Sequence, residues 1–224
     1  MIVSDILGRV RPVLNDSDAS AYRWSDPDLT NYINDACRLI QVHRPDANTE
    51  TTNLSLVVGA KQTLADTHEK LIDVVCASNG RAVTLIDVSV LDAFNPGWRS
   101  SAASDTPKHY MYDPRASREF WLYPPVKTAG TTLVGKVTLK HSVLSGGSST
   151  IGLRDIYMEP IVAFVLFKAY ARDMEFAGNA DLAGMYLNQF NGMLGLKLTK
   201  DVAFAPQQNR RGDSPEPAIQ MGGV

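Results

Sequence analysis

Apolar residues at Ile2, Val3, Ile6, Leu7, Val10 and Leu14 recur at helical spacing. They predict a helix over 2–14 whose last turn Pro12 disturbs. Residues 15–26 are polar and turn-rich. Ser25-Asp26-Pro27 then reads as a helix start, with Ser25 or Asp26 as N-cap and Pro27 in the first turn. Leu29, Tyr32, Ile33, Ala36, Leu39 and Ile40 follow at i, i+3, i+4 spacing, which predicts an amphipathic helix over 27–43 that Pro45 stops.

The period then changes to two. Thr52, Leu54, Leu56 and Val58 alternate with other residues, and Gly59-Ala60 predicts a hairpin turn into Lys61–Leu64. Leu71–Ala77 and Arg81–Val90 are β-branched runs joined by Ser78-Asn79-Gly80, a short-turn signal. Residues 92–108 read as a long loop. Tyr110–Tyr112 and Glu119–Tyr123 flank a turn at Asp113-Pro114-Arg115, Pro124-Pro125 ends that strand, and Thr131–Ser142 is another.

Helix returns after 152, with Asp155 as a candidate cap and Pro160 near the first turn. Ile161–Tyr170 is apolar around most of its circumference, with Lys168 as its one charge, so it is expected to be buried on more than one side. Asn179 reads as the cap of a last helix with Leu182, Met185, Tyr186, Phe190 and Met193 on one face. From Asp201 onward, prolines, glutamines and a Gly-Gly-Val end read as an unstructured tail.

This order predicts an α+β fold: a four-helix bundle with an inserted antiparallel β domain and an extended C-terminal tail. The segments are 1–48, N-terminal helices of the bundle; 49–150, the β insertion; 151–200, C-terminal helices; and 201–224, the tail. At 224 residues, 44% hydrophobic and 21% charged, the chain can bury a core without disulfides or metals. A formal charge of −2 gives no strong pull toward nucleic acid or anionic membrane. Cys37 and Cys76 lack metal-type spacing and are expected as free thiols. The longest apolar run, Ile161–Phe167, is far short of the ~20 residues that span a bilayer. Asp5, Arg9 and Arg11 interrupt the N-terminal apolar stretch, which is not expected to be a signal peptide.

Candidate chemistry is sparse. His43, His68, His109 and His141 stand in no metal-binding arrangement, and no nucleophile-elbow or phosphate-loop motif occurs. Arg211-Gly212-Asp213 and Asn53-Leu54-Ser55 match short motifs by chance. Asp113, Arg115 and Glu119 cluster near a turn, where salt-bridging is the plain explanation. A cell-wall hydrolase using Asp113 or Glu119 is the alternative function. Trp98, Tyr110, Tyr112, Phe120, Trp121 and Tyr123 concentrate in the β segment, as ring packing, a protein interface or a stacking platform for single-stranded nucleic acid. No metal or cofactor is expected. The surplus apolar surface of the 161–170 helix favours assembly over catalysis. Phe164, Phe167, Tyr170, Tyr186 and Phe190 are the expected subunit interface.

Four segments carry a family resemblance: WSDPDLTNYINDACRLIQVHRPDA at 24–47, GRAVTLIDVSVLDAFNPGW at 80–98, YMYDPRASREFWLYPP at 110–125, and the stretch at 153–195 that opens LRDIYMEPIVAFVLF. In their order and spacing the sequence resembles bacteriophage head-to-tail adaptor proteins, the connector subunits that bind beneath the portal. The resemblance implies a structural, non-enzymatic protein of the virion, made in the host cytoplasm and arranged as a dodecameric ring of its own subunits. Such a ring extends the channel for double-stranded genome DNA, without sequence-specific binding, and carries tail or nozzle proteins. It implies portal contacts through the C-terminal stretch, with Phe204, Pro206, Arg210, Arg211 and Ile219 as candidates. It also turns the β insertion, with Trp98, Arg115, Arg118 and Trp121, toward the tail.

Overall fold

The structure, a computed structural model, describes residues 1–173 and 177–203, with Ala177 and 196–203 as backbone only. Helices α1 (Val3–Val13) and α2 (Asp26–His43) form where the periodicity places them. The Ser25 hydroxyl accepts the Asp28 N–H at 3.2 Å and Pro27 sits in the first turn of α2. The chain then forms three strands, β1 (Thr49–Ser55), β2 (Gly59–Thr63) and β3 (His68–Ala77), followed by the short β4 (Thr84–Leu85) and helix α3 (Val88–Phe94). Strands β5 (His109–Tyr112), β6 (Glu119–Val126) and β7 (Thr132–Leu139) precede α4 (Met158–Arg172) and α5 (Ala177–Ala203).

The fold is α+β, but it is not a four-helix bundle with one antiparallel insertion. Among the described residues it has five α-helices and seven strands in two sheets, ordered β1-β7-β3 and β2-β6-β5-β4, and β4 runs parallel to β5. The helices gather around α4 as a hub, with α1, α2 and α5 each packed on it. The reason lies in α4, whose residues from Pro160 to Leu166 are all buried, so it accepts neighbours on several sides.

Several local expectations are also corrected. β1 and β2 form no hairpin; β1 pairs with β7 and β2 with β6. The buried Gln62 side chain bonds the Val57 N–H and the Val57 and Gly59 carbonyls, closing the link that carries the chain between sheets. The 81–90 run is strand only at Thr84–Leu85, because the Asp87 carboxylate accepts the Ser89 N–H at 2.8 Å and starts α3 inside the expected strand and loop. Pro124-Pro125 does not end β6. The register against β2 shifts between Val126 and Trp121, so the prolines fall where no partner needs their N–H. Asn179 lies inside α5 and donates back to Asp173, and α5 continues to Ala203, past the expected start of the tail.

Among the described residues, three apolar cores result. Ile6, Leu29, Ile33, Tyr157, Ile161 and Phe190 belong to the helical one. The two sheets share a second through Leu54, Leu71, Leu133 and Val137 on one side and Phe120, Leu122 and Val126 on the other. Gly135 leaves room for Leu54 there; a Cβ on it would lie 2.5 Å from Leu54 Cδ1. Period two turns Met111, Trp121 and Tyr123 to the opposite face of the four-stranded sheet, where Trp98, Val88 and Leu91 cover them.

A polar seam joins the helices to the sheets. Gln41 Nε2 donates to Leu139 O at 3.1 Å, and Thr138 Oγ1 to Pro45 O at 2.8 Å. The buried Asn34 side chain exchanges bonds with both backbone groups of Leu144, and its Oδ1 also accepts from His141 Nε2 at 2.8 Å. Burial, then the charge of Arg38, lowers the His141 pKa. The unfolded imidazole therefore protonates first as pH falls. Its contribution is full above the ordinary histidine value of about 6.5 and is lost below it. Urea midpoints should fall between about pH 7.5 and about pH 5.5, less steeply in His141→Gln, a difference that isolates this group from the other histidines.

Candidate functional site

On the helical layer the five aromatic residues expected at a subunit interface are brought together, but at different depths. Phe164 (5% exposed) and Phe190 (0%) pack ring to ring at 5.1 Å inside the core. Phe167 lies edge-on to Phe164 at 5.6 Å and is half-buried. Tyr170 and Tyr186 are half-buried and stack in parallel at 5.8 Å, and the Tyr170 hydroxyl donates to Val13 O at 3.3 Å. Only Phe167, Tyr170 and Tyr186 therefore keep surface for a neighbour, together with Met185, which is half exposed.

On the sheets, Trp98 is fully buried and meets Trp121 and Tyr123 edge-on at 6.0 and 6.4 Å. Arg99 covers both tryptophans, 4.5 Å from Trp98 and 5.6 Å from Trp121. The Asp92 carboxylate accepts from Trp98 Nε1 at 2.8 Å and from Arg99 at 3.0 Å, and these bonds hold it below the usual carboxylate range. Trp98 is thus a support beneath α3 rather than a contact. What α3 presents outward is Phe94, 86% exposed, with Val90 one turn before it and Leu85 on the sheet edge. Nothing in the sequence signals this patch, since Arg81–Val90 predicts a strand and 92–108 a loop where the chain forms α3.

Arg115 is exposed in the 113–116 turn, where Asp113 accepts its N–H at 2.9 Å. Arg118 is tied to Asp66 at 2.6 Å and to Leu64 O, and this pairing lowers the Asp66 pKa. Glu119 pairs with Lys61 at 2.8 Å. The carboxylates named for a hydrolase are thus engaged in a turn and an ion pair. Tyr110 and Phe120 are buried in the core between the sheets, and burial, reinforced by the Asp73 carboxylate 2.7 Å away, pushes the Tyr110 hydroxyl up to about 12. Their faces are not available for stacking bases.

A groove of about 460 Å³ lies along the seam, lined by Arg38, Val42, Pro45, Lys70 and Lys140 among others. Among the described residues no group of three or more His, Cys, Asp or Glu could hold a metal, and no helix is long and apolar enough to cross a membrane. Phe204, Pro206, Arg210, Arg211 and Ile219 lie outside the described residues.

The surfaces left open are a half-buried aromatic rim on α4 and α5, an apolar patch on α3, and a basic groove. No curated protein matches the chain. The model of a family described as SU10 adaptor protein matches residues 1–212.

Proposed function

Because the chain belongs to the SU10 adaptor protein family, a structural family of phage head-to-tail adaptors, we propose that it acts in the virion as a dodecameric ring beneath the portal. The ring continues the DNA channel and gives the tail its platform. The carrying observation is the family match, which takes in the helical layer, both sheets and the beginning of the C-terminal stretch. Subunits made in the host cytoplasm join the portal and lock laterally. Phe167, Tyr170, Tyr186 and Met185 form the lateral rim, while Phe164 and Phe190 hold α5 against α4 from beneath.

The sheets, as a unit spanning 49–150, face the tail proteins. Arg115 and the α3 patch make the contacts, and Trp98, Trp121 and Arg118 keep them in place. A formal charge of −2 suits a conduit through which DNA slides, since phosphate contacts that release many counterions would make it stick.

Light scattering of the protein with its portal ring tests this reading: a multi-copy ring on the portal is expected. A chain that stays monomeric and ignores the portal would overturn it. The C-terminal stretch, with Phe204, Pro206, Arg210, Arg211 and Ile219, contacts the portal. Truncation after Ala203, where α5 ends, should weaken portal binding and leave the circular dichroism of the folded part intact. Normal binding by the truncated chain would remove the stretch from the portal contact.

A further inference from the structure

The seam groove carries more positive charge than its own acids neutralise. Arg38, Lys70 and Lys140 line it against one carboxylate, Glu69. Arg38 reaches Asp35 at 3.3 Å in an exposed pair of small value. Lys70 and Lys140 have no carboxylate within 4.0 Å among the described residues. Asp66, the other nearby acid, is held by Arg118. Val42, 74% exposed, and Pro45 add an apolar wall. The groove is concave and of small-ligand size, so it admits side chains of an extended peptide and not a duplex.

Pairing sets the charges side by side. Lys70 pairs with Thr138 beside a register shift in β3, Lys140 follows two residues on along the chain, and both line the groove. Residues 213–219, DSPEPAI, carry Asp213 and Glu216 beside two prolines and end in Ile219. A peptide bound in extended form rises ~3.1 Å per residue, so positions three apart in it would lie about 9 Å from each other.

Chain direction bears on reach. α5 runs antiparallel to α4, since Tyr186 stacks on Tyr170 and Phe190 on Phe164. α2 does likewise, with Asp28 bound to Arg172 at the C-terminal end of α4. Both helices therefore end toward the start of α4, where the groove opens beside the last turns of α2. α5, 27 residues against 15 in α4, extends beyond it on that side. Residues 204–212 then span up to about 30 Å.

We propose that the groove binds residues 213–219 of the same chain, with Asp213 and Glu216 on Lys70 and Lys140 and Ile219 against Val42 and Pro45. The contact parks the C-terminal stretch on its own subunit, and it stands whether or not that stretch also meets a portal. Carbodiimide coupling of the full chain near neutral pH, followed by peptide mapping, tests it. Amides joining Asp213 or Glu216 to Lys70 or Lys140 are expected in the monomer band. They should vanish in D213N/E216Q and return in the charge-swapped chain K70E/K140E/D213K/E216K. Coupling of these lysines only to other carboxylates or to a second chain, coupling unchanged by D213N/E216Q, or no coupling at all would overturn the proposal.

Discussion

Asp16→Ala should destabilise the protein by about 3–5 kcal/mol, the range for removing one partner of a buried ion pair. Arg11 is 7% exposed and Asp16 6%, and they meet at 2.7 Å. The same carboxylate accepts the backbone N–H groups of Arg23 and Trp24 at 2.7 and 3.1 Å. Arg11 also donates to Trp24 O and Asp26, and its guanidinium lies 3.4 Å from the Tyr22 ring centroid. One carboxylate therefore folds the whole 15–25 loop back onto the end of α1. Its loss takes the buried one of two carboxylate partners from the Arg11 guanidinium, leaving Asp26, and frees two buried or half-buried N–H groups. Against a typical total of 5–15 kcal/mol, this is a large fraction. Urea denaturation measures it. Arg9→Ala is the control, since its 2.6 Å pair with Glu159 is exposed on both sides and should be worth under about 1 kcal/mol.

The second large effect is expected at Phe190→Ala, about 3–5 kcal/mol by loss of buried ring and the cavity left behind. Phe190 is fully buried, and its ring packs on Phe164 where α5 crosses the hub helix. The cavity should loosen α5 first, so hydrogen exchange should rise there before it rises in the sheets. Met185→Ala, on an exposed position of the same helix, should change stability by no more than about 0.5 kcal/mol. If the α4–α5 rim is the lateral interface, Met185→Ala should still lower ring formation on the portal. The pair thus separates holding the helix from using its surface.

What was legible in the sequence was mostly local. Ser25 and Pro27 set the start of α2, and the unbroken apolar circumference of 161–170 announced a buried helix. Both follow from neighbours a few residues away. Strand partnership did not, because β1 chooses β7 across some 80 residues and Gln62 undoes the hairpin that Gly59 suggested. Burial was equally hidden: Trp98, in a polar loop, is fully buried, while Trp121, in an apolar strand, is only partly buried. The groove could not be read at all, since Arg38, Lys70 and Lys140 meet only once α2, β3 and β7 are placed. The family resemblance supplied what local physics could not, and the chain's family membership bears it out.

The helical core and the core between the sheets remain separate apolar clusters, joined across the seam by Thr138, Gln41, Asn34 and His141. Hydrogen bonds of this kind contribute about 0.5–1.5 kcal/mol each and act over short distances. Under a pulling force directed from one layer to the other, the seam should yield before either core does. Each layer would survive such a rupture folded and could rejoin when the load is released.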